Sequence, residues 1–145
     1  MTTIPTTDRS SVSTTSTSTG SIWPTAAIAG AVAAVATTVI GAVAKAADVP
    51  LAIGDMEIQI PMFAVFTLVA AALGAAIATQ VQKRASQPRR TFVITTLVLT
   101  ALSVIPDLTA DATTATKLTL VGAHLVAAGV IIPALGARLT ASQAR

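Results

Sequence analysis

The chain has 145 residues, a positive mean hydropathy, 53% hydrophobic residues and only 10% charged ones, against roughly 25% in an ordinary soluble domain. That charge is too little to cover a soluble surface, so a soluble enzyme is excluded; the complete absence of cysteine excludes disulfide frameworks, thiol nucleophiles and iron–sulfur clusters. One domain fits this length.

The first 22 residues are mostly Ser and Thr with almost no apolar content, and they read as a disordered tail, 1–22, followed by Trp23 where a bilayer-interface anchor would stand. Four uncharged stretches follow, each near the roughly 20 residues that about 30 Å of hydrocarbon requires. They give spans at about 25–44, 61–82, 91–107 and 118–137, within a transmembrane domain of 23–138 and ahead of a short tail, 139–145. They are too long for strands and lack strict alternation, so helices are expected. A cleavable signal peptide competes for the first stretch, because Ala42-Val43-Ala44 has the small-x-small pattern. An apolar run of about 20 residues is long for a signal core of about 7–15, which favours a retained helix. The third stretch is the shortest, and Pro106-Asp107 reads as its stop. Asp111 or Thr113 offers the N-cap of the fourth helix.

Between the first two spans, Leu51 and Ile53 alternate on one side of Gly54-Asp55, and Ile58 and Ile60 alternate with Glu57 and Gln59 on the other. This predicts a small hairpin with a Gly-Asp turn, resting its apolar face on the bundle because two strands alone are marginal. The expected fold is therefore all-α and integral to the membrane: a four-transmembrane-helix bundle with a short extracytoplasmic β-hairpin between helices 1 and 2.

The charges sort by loop. Arg9, Lys83, Arg84, Arg89, Arg90, Arg138 and Arg145 fall on one side with Asp8; Lys45 and Lys117 fall on the other with Asp48, Asp55, Glu57, Asp107 and Asp111. The positive-inside rule then places both termini and the Lys83–Arg90 loop in the cytoplasm, with the chain in the plasma (inner) membrane. The cluster Lys83-Arg84 and Arg89-Arg90 is a tight loop with no aromatic platform, so it reads as a topology determinant touching lipid headgroups, and no nucleic-acid partner is expected.

Only one ionisable side chain falls inside a span. His124 lies seven residues past Lys117, about 10 Å below the outer boundary at 1.5 Å per residue. An ionisable residue at that depth is a functional candidate by default. Asp107 is its most plausible acid partner if the third and fourth helices adjoin, and Asp111 is a further candidate for ligand binding. A His–Asp pair can act as acid and base, clamp a ligand or, with Asp111, contribute to a metal site; the competing role is interhelical glue through Thr100, Ser103 or a backbone carbonyl. Three dispersed ligands without a motif predict no metal, and no cofactor is expected. Gly30-x3-Ala34 and Gly74-x3-Ala78 are small-residue steps that let helices approach, and Thr37, Thr38, Thr95, Thr96 and Thr100 can return their hydroxyls to their own helices.

The run His124-Leu125-Val126-Ala127-Ala128 with Ile132-Pro133, the Pro106-Asp107 pair and the loop Pro88-Arg89-Arg90-Thr91 resemble an uncharacterised family of short four-span bacterial membrane proteins, a domain of unknown function. The resemblance covers about 25–138 and implies a fold without an activity. Small multidrug antiporters are similar in size but use a carboxylate in the first span, absent here. Claudin-like and thiol-oxidoreductase families need cysteines, and a haem bundle needs two axial ligands where this chain has one histidine. The expected role is a non-enzymatic accessory or interaction subunit in the lipid bilayer, working with a membrane-protein partner or as a homo-oligomer and binding a lipid-like ligand near His124. The alternative is a membrane enzyme or carrier for a lipophilic substrate that uses the His124/Asp107 pair.

Overall fold

The computed structural model describes residues 21–143, with side chains through Leu139; the tail expected to be disordered lies, but for its last two residues, outside the described residues. Four helices follow one another: α1 (Trp23–Ala46), α2 (Ile60–Arg84), α3 (Pro88–Thr109) and α4 (Thr114–Gln143). All four are long and apolar enough to cross a membrane. Each extends past its uncharged stretch, because a helix ends where its backbone runs out of partners and a span ends where charge begins.

The four-helix expectation holds, with one local correction. Pro106 does not stop α3, which runs on to Thr109. A proline removes only its own N–H, and the chain beyond it is held by the Ala110 N–H donating to the Pro106 carbonyl at 2.8 Å and the Thr109 hydroxyl donating to the Ile105 carbonyl at 3.0 Å. Of the two candidate caps for α4, Thr113 serves: its hydroxyl accepts the Thr116 N–H at 3.3 Å, and its carbonyl accepts the Lys117 N–H at 3.0 Å.

Short loops make the helices alternate in direction. One end of the bundle thus gathers Lys83, Arg84, Arg89, Arg90 and Arg138, and the other carries the hairpin with Asp48, Asp55, Glu57 and Asp111. α1 packs on α2 and α4, α3 packs chiefly on α4 and less on α2, and α2 touches α4 across the short diagonal.

The packing is the reverse of a soluble bundle. Ala26, Ala33, Ala71, Ala75 and Ala78 lie in the core, while Ile28, Val32, Val35, Val39, Val43, Phe66 and Val69 are exposed. Lipid tails solvate the large residues as well as a protein interior would, so burial goes to the small residues that bring backbones together. Gly30 marks the closest approach: a Cβ there would lie 2.7 Å from the Cβ of Ala71. Gly41 lies under the ring of Phe63 in the same way, at 2.9 Å. The main core sits toward the basic end, where Phe92, Leu135 and Leu139 are fully buried and Ile22 packs beside them. A smaller cluster of Ala44, Leu51, Phe63 and Ala123 closes the other end.

The hairpin is short. β1 (Ala52–Ile53) pairs antiparallel with β2 (Met56–Glu57), Ala52 opposite Glu57 and Ile53 opposite Met56. Gly54 takes φ +56°, a value glycine adopts without steric cost, and the Gly54-Asp55 turn forms as expected. Leu51 is buried and Ile58 packs beside it, so that part of the apolar face rests on the bundle. Ile53, which the alternation assigned to the same face, is instead exposed with Met56 at the tip, beyond the reach of the helices. Three links hold the hairpin down. The Gly54 N–H donates to the Asp111 carbonyl at 2.7 Å, the Thr116 hydroxyl donates to the Pro50 carbonyl at 2.6 Å, and Lys45 pairs with Glu57 at 3.0 Å. The last is exposed on both sides and contributes little.

Candidate functional site

The buried residues of α3 are Pro88, Phe92 and Thr96, all in its first nine positions. Beyond Thr96 this helix presents Leu97, Val98, Leu99 and Leu102 outward, and a cleft of about 200 Å³ opens between α2 and α3 with α4 as its floor. Leu73, Ile77, Leu99 and Ile131 form its apolar wall, and its polar lining consists of Thr96, Thr100, Ser103 and His124. A larger hollow at the basic end, about 460 Å³ beside Arg89 and Arg90, is walled by little more than the first turns of one helix and encloses nothing.

Asp107 ties α3 back to α4 at the upper edge of the cleft. Its Oδ2 lies 2.9 Å from Nδ1 of His124, so the partner expected from sequence is the one the fold supplies. The same Nδ1 lies 3.1 Å from the Leu120 carbonyl, one turn earlier on α4, in hydrogen-bond alignment. Oδ2 sits at ion-pair distance but off the N–H direction, and it is buried without an aligned donor. Both neighbours of Nδ1 are acceptors, which puts a proton on Nδ1 and leaves Nε2 free of any protein partner among the described residues. The imidazole is 38% exposed and the carboxylate 14%: the acid is packed away while the ring faces the cleft.

The remaining sequence candidates separate. Asp111 is exposed in the α3–α4 loop, and its backbone carbonyl, which receives the Gly54 N–H, is the part of it that bonds. Among the described residues no three His, Asp or Glu side chains gather at metal-binding spacing. Thr100 and Ser103, expected as alternative partners of His124, share its cleft but bond along α3: Thr100 donates to the Thr96 carbonyl and Ser103 to the Thr100 carbonyl, each at 2.8 Å. Ala127 and Ala128, one turn beyond His124 on α4, line the cleft and are half-buried.

Two polar links escaped the sequence reading. Thr37, expected to bond only its own helix, meets Thr67 of α2 at 2.9 Å, and the Thr67 hydroxyl has the Phe63 carbonyl within reach at 2.7 Å. Thr116, buried at the head of α4, reaches the Pro50 carbonyl. The available signal was weak: both are threonines in segments where threonine is common.

No curated protein and no solved structure matches this chain. A family model does match, described as a family of unknown function (DUF6069), over residues 17–141, which takes in the first three helices, the hairpin and all but the last two residues of α4. The chain is thus a multi-pass membrane protein that belongs to this family of unknown function, a small four-helix protein with a His–Asp pair at the wall of an interhelical cleft.

Proposed function

We propose that this protein is a non-enzymatic membrane subunit that binds a lipid-like molecule in the cleft between α2, α3 and α4. The carrying observation is that the one histidine of the chain lines an apolar interhelical cleft with Nδ1 held by Asp107 and Leu120 and Nε2 unused. An interhelical cleft with apolar walls and a few convergent polar groups is the usual form of a small-molecule site. Exposed Leu73 and Leu99 at its rim give an apolar ligand access sideways from the bilayer.

The segregation of charge supports an orientation with both termini and the Lys83–Arg90 loop in the cytoplasm of a cell whose plasma membrane holds the chain, the hairpin facing outward. A membrane-protein partner or a second copy on the exposed helix faces fits the accessory role.

Native mass spectrometry of the protein extracted with its own lipids tests the reading. A discrete small molecule retained by wild type and lost in His124→Ala supports it. Protein masses alone, unchanged by the substitution, refute ligand binding and leave an interaction subunit. The second reading, a membrane enzyme or carrier, draws on the same free Nε2 beside an orienting carboxylate, the arrangement of a general base. It requires turnover or flux in proteoliposomes that His124→Ala abolishes without loss of fold.

A further inference from the structure

Each polar group lining the cleft has its hydrogen already committed. Thr96 donates to the Phe92 carbonyl at 2.8 Å, Thr100 to the Thr96 carbonyl and Ser103 to the Thr100 carbonyl. The Nδ1–H of His124 faces the Leu120 carbonyl and Asp107. The backbone N–H groups of the three helices are bound within those helices. What remains directed at the cleft is lone pairs: those of the three hydroxyl oxygens and, in the neutral imidazole with its proton on Nδ1, that of Nε2.

We infer that the cleft selects hydrogen-bond donors, and that its ligand is a neutral long-chain alcohol or phenol whose hydroxyl donates to Nε2 of His124. A carbonyl or ether would bring a further acceptor to a wall of acceptors, and in hydrocarbon an unpaired polar group is costly. The Leu120 carbonyl holds the Nδ1 proton in place, and the buried carboxylate of Asp107, 2.9 Å from Nδ1, favours the same tautomer and makes Nε2 the better acceptor. The inference rests on the ligand-binding reading above and adds the polarity of the ligand.

The test uses the full chain in phosphatidylcholine vesicles with three probes that share a diazirine-bearing sixteen-carbon chain and end in a primary alcohol, its methyl ether, or a methyl ketone. Photolabelled peptides are compared between the cleft, on α3 and α4 around Leu99 and Ile131, and the lipid-facing side of α1 around Val32 as baseline. One neutral hydrogen bond corresponds to a preference of about fivefold for the alcohol at the cleft over the ether. Most of that preference should be lost in His124→Leu, the hydroxyl oxygens of the wall keeping the remainder. Thr100→Val, close in shape, should keep the fold and lower the preference in part, which guards against loss of structure in the histidine variant. Ketone or ether labelling the cleft as well as the alcohol overturns the donor inference while ligand binding stands. If no probe labels the cleft above the α1 baseline, ligand binding fails and the inference falls with it.

Discussion

The Thr37 hydroxyl of α1 meets the Thr67 hydroxyl of α2 at 2.9 Å, with both side chains buried. Each hydroxyl also has a carbonyl of its own helix within reach, Ala34 for Thr37 at 3.1 Å and Phe63 for Thr67 at 2.7 Å, so one of the two donates across the interface while the other donates along its helix. Either residue alone could satisfy itself along its own helix, as Thr38 does with Ala34 at 2.7 Å. A double-mutant cycle with Thr37→Val and Thr67→Val, followed by thermal unfolding in bicelles, should give a coupling of about 0.6 kcal/mol, typical of interhelical hydrogen bonds in lipid. A coupling of zero would mean that the hydroxyls merely touch.

Glycine substitutions should separate sharply by position. Gly30→Ala puts a methyl 2.7 Å from the Ala71 Cβ and forces α1 from α2, at a cost of about 1–3 kcal/mol. Gly129→Ala meets nothing within 4 Å and should leave stability unchanged or slightly raised. Melting temperatures of the two variants measured side by side decide the matter; equal losses would contradict the close α1–α2 contact.

Removing the Thr116 hydroxyl leaves the Pro50 carbonyl with the Ala52 N–H at 2.8 Å but cuts the side-chain link from α4 to the hairpin. Thr116→Val should cost about 1 kcal/mol, the net worth of one hydrogen bond, and speed amide exchange through the hairpin at Ala52–Ile58. Thr119→Val, whose exposed hydroxyl bonds only its own helix at Ala115, is the control and should leave the hairpin's exchange as it is.

The His124–Asp107 pair should show asymmetric damage. His124→Ala takes away the Nδ1–H dipole that lies 2.9 Å from a largely buried carboxylate, whereas Asp107→Asn leaves an imidazole still bonded to the Leu120 carbonyl. The histidine variant should therefore lose more stability, and adding Asp107→Asn to it should recover part of the loss. Equal losses in the two single variants would show that the carboxylate does not depend on the ring.

Orientation is open to a direct measurement because the chain has no cysteine of its own. A cysteine at Gln87 should react with an impermeant thiol reagent only from the cytoplasmic side, and one at Ala110 only from the outside. Both positions reacting from one side would break the alternation of the four spans.

The number of spans, the two charge-segregated ends, the Gly54-Asp55 turn and the place of His124 as an ionisable residue within a span were all legible in the chain. They follow from one-dimensional quantities: the length of apolar runs, the placement of charge and the rarity of an ionisable residue in hydrocarbon. Asp107 could be named as a partner only on condition that α3 and α4 adjoin, and its position beside Pro106 suggested a helix end rather than a continuing last turn. That Thr37 faces Thr67, that Thr116 reaches Pro50, and that α3 packs tightly only as far as Thr96 and then leaves α2 to open a cleft are decided by tertiary structure. In lipid the apolar pattern around a helix carries little information about which face is inside, because Val and Leu are as well solvated by acyl chains as by protein. Where α1 meets α2 is set instead by small residues such as Gly30 and Ala71, and a sequence this rich in alanine offers many such steps; only the packed bundle selects among them.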